Sequence, residues 1–196
     1  MSNTKTRTRF LAAGRQLMFR YGFSSMSINQ LLQTANASRG AFYYHFKSKE
    51  GLGLEMLQES FDVCFSGLSM LMHGEADSPG DSHIDQWIKE LLTQPCDRLR
   101  LIAQLNAEAE YLPEEMQAAL TVHTERTLAL LVRYIELLPA QRRLTGCSTG
   151  QLANMLYSLW LGTALLSRAQ ESPEAMKAAM VATMSILSVT AGATPF

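Results

Sequence analysis

The chain has 196 residues, 47% hydrophobic and 18% charged, enough apolar material to bury a core and too much for a chain disordered throughout. No run of about 18 uninterrupted apolar residues occurs, and the basic start Met1–Arg9 lacks the apolar stretch of a secretory signal. The net charge of -1 conceals an asymmetry: residues 1–50 hold eight Lys/Arg and one acid (+7), the remainder nine Lys/Arg and seventeen acids (−8). A basic head on an acidic body is the pattern of a nucleic-acid-binding module joined to a domain that stays off nucleic acid.

Helical periodicity predicts an all-α chain of about nine helices, with no segment alternating like a strand for long. The first helix spans about Thr4–Tyr21, with Leu11, Leu17, Met18 and Tyr21 on one face, and stops at Gly22. Ser27 caps a short second helix over Ile28–Thr34, and Asn36-Ala37-Ser38 is a turn. Ser38 caps a third helix, Arg39–Phe46. Ser48 caps a fourth that runs to about Met72, with Glu50 in its first turn where the helix dipole favours an acid.

The polar stretch His73–Asp81 reads as a linker. Beyond it, helices are predicted over about His83–Gln94, Pro95–Glu110, Pro113–Leu138, Thr149–Gln170 and Pro173–Ala191, three of them with proline where a first turn tolerates it. The domains expected are residues 1–48, a DNA-binding head, and residues 49–196, a helical body. Leu152–Leu166 is apolar on nearly every side and Ala178–Val189 is largely apolar or small. Helices without a polar face are buried all round, so the two are expected to form a homodimer interface.

Residues Ser27–Glu50 contain a helix, a short turn and a second helix, as a helix-turn-helix requires. Ile28, Leu31 and Leu32 hold the first of these helices to the bundle, and Phe42 and Phe46 face inward. Ser38, Arg39 and Gly40 start the second helix, the end that enters a major groove. Arg39 has the reach and fork geometry for guanine or phosphate. Gly40 has no side chain to obstruct base edges. Tyr43, Tyr44 and His45 carry donors suited to phosphate oxygens. Lys47 and Lys49 add charge.

Residues 9–57 closely resemble the head of the tetracycline-repressor (TetR/AcrR) family, and Ser38–Glu50, SRGAFYYHFKSKE, matches that family's signature. Gly22-Phe23 followed by Ser27-Ile28 matches as well. The resemblance implies a double-stranded, palindromic DNA operator bound by a homodimer, a small apolar or aromatic effector that releases it, and a fourth helix whose movement changes the spacing of the heads. It implies phosphate contacts from Ser27, Ser38, Tyr43, Tyr44, His45 and Lys49, and a base-facing role for Arg39, Gly40 and Ala41. Here Asn36-Ala37 stand where the family usually has Gly-Val. Half-sites read by such a dimer lie about 34–36 Å apart.

In the body, Trp87, Tyr111, Tyr134, Tyr157 and Trp160 are the candidates for lining an effector cavity between helices. Leu99–Leu120 and Leu156–Gly162 resemble a subgroup of the family with electrophile-sensing members. That subgroup carries Gly-Cys just before a Leu-x-x-Glu segment, where this chain has Leu99-Arg100. The three cysteines, Cys64, Cys96 and Cys147, form neither a disulfide framework nor a Cys-x-x-Cys zinc site, and a cytoplasmic setting is expected. Cys64 reads as core. Cys147, near Arg142 and Arg143, is the candidate if the protein senses redox state or electrophiles instead. His73, Glu75, Asp77, Asp81, His83 and Asp85 match no closed metal-ligand pattern and read as a solvated linker. No phosphate loop, catalytic triad motif or His-x-x-x-His pair points to an enzyme, a cofactor or a metal. A helix-turn-helix that only binds protein partners is a further alternative.

Overall fold

The computed structural model describes residues 2–73, 97–138, 146–170 and 174–187. The expected helix over His83–Gln94, most of the linker, Trp87, Cys96 and the acidic His73–Asp85 side chains lie outside the described residues. Among those described, all regular structure is helical: α1 Ser2–Tyr21, α2 Ile28–Ala35, α3 Arg39–Phe46, α4 Lys49–His73, α5 Asp97–Ala107, α6 Glu114–Leu137, α7 Thr149–Gln170 and α8 Glu174–Leu187. A 3₁₀ turn, Ala109–Tyr111, separates α5 from α6, so the helix expected to reach Glu110 ends earlier. None of these helices is long and apolar enough to cross a membrane.

The chain divides into two compact units. One comprises residues 1–62 with 101–123, the other residues 63–100 with 124–196. The division differs from a cut at residue 48: the first turns of α4, most of α5 and the start of α6 belong with the head.

In the first unit, Phe10, Met18, Phe23, Met26, Leu31, Phe42, Leu52, Met56 and Leu57 form the core, each 2% exposed or less. Phe10 meets Phe42 and Phe46 edge-on at 5.4 and 5.8 Å between ring centroids, and so joins α1 to α3. Tyr21 departs from the expected apolar face of α1. Its ring is exposed beneath the Arg20 guanidinium, while Phe10 fills the core position. Arg7–Glu55 (2.6 Å) and Arg15–Glu59 (2.8 Å) pair α1 with α4. These pairs are partly solvated and contribute about 0.2–1 kcal/mol each.

The second unit is organised by the α7–α8 hairpin. Leu152, Leu156, Tyr157, Trp160 and Ala164 of α7 are buried with Ala179 and Leu187 of α8. The Trp160 indole N–H donates to the Thr183 hydroxyl at 2.9 Å, both fully buried, so the one polar group on each is satisfied. The opposite side of the hairpin is uncovered. Met155, Leu165 and Leu166 are exposed on α7, in line with Ser158 and Gly162, and Val181 is 61% exposed on α8 between Ala178 and Ser185. The expectation that both helices are buried all round therefore holds for one face of each within a single chain.

Candidate nucleic-acid interface

The α2–turn–α3 segment is held by local bonds. Ser27 accepts from the Gln30 amide at 3.3 Å, and the Gln30 side chain accepts from the Ser27 N–H at 2.8 Å, a reciprocal capping box. Ser38 caps α3 by accepting from Ala41 N–H at 3.2 Å. Each cap contributes about 1 kcal/mol. Ser48 does the same for α4 through Gly51 N–H at 3.0 Å. Between α2 and α3 the chain turns through Asn36, which sits in the left-handed region at φ 45°. Asparagine tolerates that region better than other side-chain-bearing residues, which explains how it replaces the glycine usual in the resembled signature. The Arg9 guanidinium crosses from α1 to bind the Ala35 and Asn36 carbonyls that end α2.

These contacts leave one face of α3 open. Phe42 and Phe46 are buried, while Arg39, Gly40, Tyr43, Tyr44 and Lys47 are exposed at helical spacing, with Tyr44 70% accessible. Ala41 and His45 are half-buried at its margin. Ser27 and Ser38 are exposed where α2 and α3 begin. The Arg39 guanidinium donates to Asn29 Oδ1 at 2.7 Å, which makes Asn29 a second-helix partner that sequence reading missed.

Lys49 stands apart from the other expected contacts. Its ammonium lies 3.2–3.3 Å from the carbonyl oxygens of Phe23, Ser24 and Met26 and 4.9 Å from the Phe23 ring centroid. Three donors on three carbonyls exhaust the ammonium, so Lys49 ties the α1–α2 turn to α4 instead of reaching toward a phosphate. Of the eight cations in residues 1–50, Arg7, Arg9, Arg15 and Lys49 are thus engaged inside the head. The charge presented by the open face is smaller than the sequence total.

A sequence profile described as bacterial regulatory proteins, tetR family, matches residues 10–56. The chain is 31% identical over 191 residues to the transcriptional repressor NemR of Escherichia coli K12, covering 95% of this chain and 96% of NemR. The chain belongs to the TetR family of transcriptional regulators. The crystal structure of reduced E. coli NemR superposes with a TM-score of 0.73 at 30% identity, over 95% of this chain and 99% of that one. A second TetR/AcrR-family crystal structure superposes with a TM-score of 0.73 at 25% identity, over 93% and 98% of the two chains. As a TetR-family regulator the protein binds DNA through its helix-turn-helix, and α3 is the element on which that helix-turn-helix presents its exposed polar face.

The body candidates separate by exposure. Tyr134, Tyr157 and Trp160 are buried in the second unit. Tyr111 is 76% exposed, because the 3₁₀ turn holds it by its backbone and leaves the ring outside, so the structure does not bring it to an interior cavity. Cys64 is buried, whereas Cys147 is half-buried next to Ser148, the residue that caps α7.

The Tyr157 hydroxyl lies 3.4 Å from Thr124 Oγ1, and its ring is 6.2 Å from that of Phe65. Burial raises the Tyr157 phenol above the usual 10.0, outweighing the opposing hydrogen bond with Thr124. The unfolded phenol then ionises first, so the stability from a neutral Tyr157 is intact below pH 10 and declines as pH rises toward the folded value. Urea unfolding from pH 9 to about 11 is expected to show a steeper loss of stability in the parent than in Tyr157→Phe. Equal slopes would place Tyr157 in water.

Proposed function

We propose that the protein is a homodimeric repressor that occupies a palindromic operator and releases it when a small apolar or aromatic molecule enters the helical body. The observation that carries the DNA part is the open face of α3, where Arg39, Gly40, Tyr43, Tyr44 and Lys47 are exposed in register while Phe42 and Phe46 anchor the helix from behind. Arg39, Gly40 and Ala41 face base edges. Ser27, Ser38, Tyr43, Tyr44, His45 and Lys47 grip the phosphates on either side. Repression is the activity named for the NemR relative, and it is carried here by the resemblance that spans nearly the whole of both chains.

Dimerisation is supported by the uncovered stripe on α7 and α8. In that stripe Met155, Leu165, Leu166 and Val181 stand beside small residues that permit close helix approach, and α7 carries no charge from Leu152 to Leu166. The effector is proposed to enter the second unit, where Tyr134, Tyr157 and Trp160 are buried and the Tyr157 and Thr124 hydroxyls, 3.4 Å apart, offer a polar handle.

The test is binding of the purified protein to DNA flanking its own gene, at physiological salt with excess competitor DNA, alongside Tyr43→Ala and Arg39→Ala. Arg39→Ala is expected to lose about 1–3 kcal/mol of affinity and to relax discrimination at one base-pair position. Tyr43→Ala is expected to weaken binding about tenfold across sequences, as the loss of a phosphate contact would. Parent and variants binding alike, no better than to random DNA, would return the helix-turn-helix to a protein-contact role.

A further inference from the structure

The six residues between α1 and α2 are gripped from two sides. On one side, the Glu108 carboxylate accepts the Phe23 N–H at 2.8 Å and, more weakly, the Ser24 N–H at 3.5 Å through the same oxygen, Oε2. Its other oxygen accepts from Gln104 Nε2 at 3.1 Å. That nitrogen also donates to the Met18 carbonyl, at 2.8 Å, in the last turn of α1. One residue past the 3₁₀ segment's second position, the Tyr111 carbonyl accepts from the Ser24 hydroxyl at 3.2 Å. On the other side, Lys49 of α4 holds the Phe23, Ser24 and Met26 carbonyls. The turn's N–H groups therefore face an acid just past the end of α5 and its C=O groups face a base from α4.

The backbone around the turn leaves no room for slack. Gly22 has φ +81°, and a Cβ there would lie 2.8 Å from Glu108 Oε1, so the carboxylate approaches the turn where only glycine stands. At the far side, a Cβ on Gly53 of α4 would lie 2.6 Å from Met116 Sδ and 2.7 Å from the Phe23 ring, so α4, the start of α6 and the turn meet at contact distance.

We propose that Glu108 and Gln104 are positioning residues for DNA binding: by holding the α1–α2 turn, they set the orientation of α2 and, through it, of α3. This rests on the DNA-binding reading but not on which side chains touch bases. The lever is short. Ser27, which caps α2, follows Met26 directly, and α2 joins α3 through Asn36–Ser38. Both α5 and α6 contribute residues to each compact unit, α5 changing over at Leu101 and α6 at Thr124.

Charge alone makes the opposite prediction. Removing an acid from a DNA-binding head lowers repulsion from phosphates and strengthens binding or leaves it unchanged. Loss of a positioning contact weakens it. The probe is a duplex enriched from a random pool by the parent protein. The measurements on the full chain are its affinity, the slope of log affinity against log salt, the exchange rates of the Phe23 and Ser24 amides, and the unfolding midpoint.

Glu108→Ala is expected to bind about tenfold more weakly, a coupling of ordinary size. Its salt slope should match the parent's, because no phosphate-neutralising cation has gone. Gln104→Ala is expected to weaken binding in the same direction. In Glu108→Gln the amide oxygen still accepts the Phe23 N–H, so affinity should recover to within about threefold of the parent. Glu108→Ala binding as tightly as the parent, or more tightly, while its Phe23 and Ser24 amides exchange faster would overturn the proposal. So would affinity lost in proportion to the unfolding midpoint in both Glu108 variants, since that is a purely structural role. A parent protein that enriches no duplex removes the DNA-binding reading itself, and this proposal with it.

Discussion

Replacing Phe42 with alanine is expected to destabilise the head by about 3–5 kcal/mol, the usual cost of removing a fully buried aromatic ring. Phe42 has no exposed surface and lies 5.4 Å from the Phe10 ring and 5.7 Å from Phe46. The cavity would open directly behind the exposed face of α3. That helix has only eight residues, too few to persist without tertiary packing. Urea unfolding should show the lost stability, and DNA affinity should fall with it even though Phe42 faces away from the open surface. Tyr43→Ala supplies the contrast. Its ring is 42% exposed, so the unfolding midpoint should barely move while DNA binding weakens. An unchanged midpoint in Phe42→Ala would mean that the aromatic cluster does not hold α3 in place.

Replacing Leu166 with aspartate is expected to convert a dimer into monomers and to lower operator affinity by about 10²–10⁴-fold. Two heads held together bind the second half-site at high effective concentration, and a monomer forfeits that gain. Leu166 is 54% exposed on α7, in a stripe without charged side chains. A two-fold interface carries the substitution twice, so two carboxylates would lose their water at once, at a cost neither could offset by pairing. Sedimentation should report the change in mass, and Trp160, on the inward face, should keep its buried fluorescence. A variant that stays dimeric, or a parent that is already monomeric at micromolar concentration, would move the interface away from α7 and α8.

Much of the head could be read without the structure because its determinants are local. The caps at Ser27, Ser38 and Ser48 each bond three residues along the chain, and the buried Phe42 and Phe46 alternate with exposed Arg39, Tyr43 and Lys47 at helical spacing. The Ser27–Gln30 capping box is legible as Ser-x-x-Gln. The ends of α2, α3 and α7 follow the same logic, each set by a cap or a turn within a few residues.

What the sequence by itself determined was the helical class, the helix-turn-helix and the face of α3 that it presents, since periodicity and capping act over one turn of helix. Only the tertiary structure decided which cations that face keeps. Arg7, Arg9, Arg15 and Lys49 are engaged by partners 23–48 residues away, and nothing near each of them in the chain announces it. The same holds for Glu108, whose carboxylate meets the Phe23 amide across 85 residues, within the compact unit that joins residues 101–123 to the head. Composition counts charges, but whether a charge faces solvent or a backbone carbonyl depends on what the folded chain brings within about 3 Å of it.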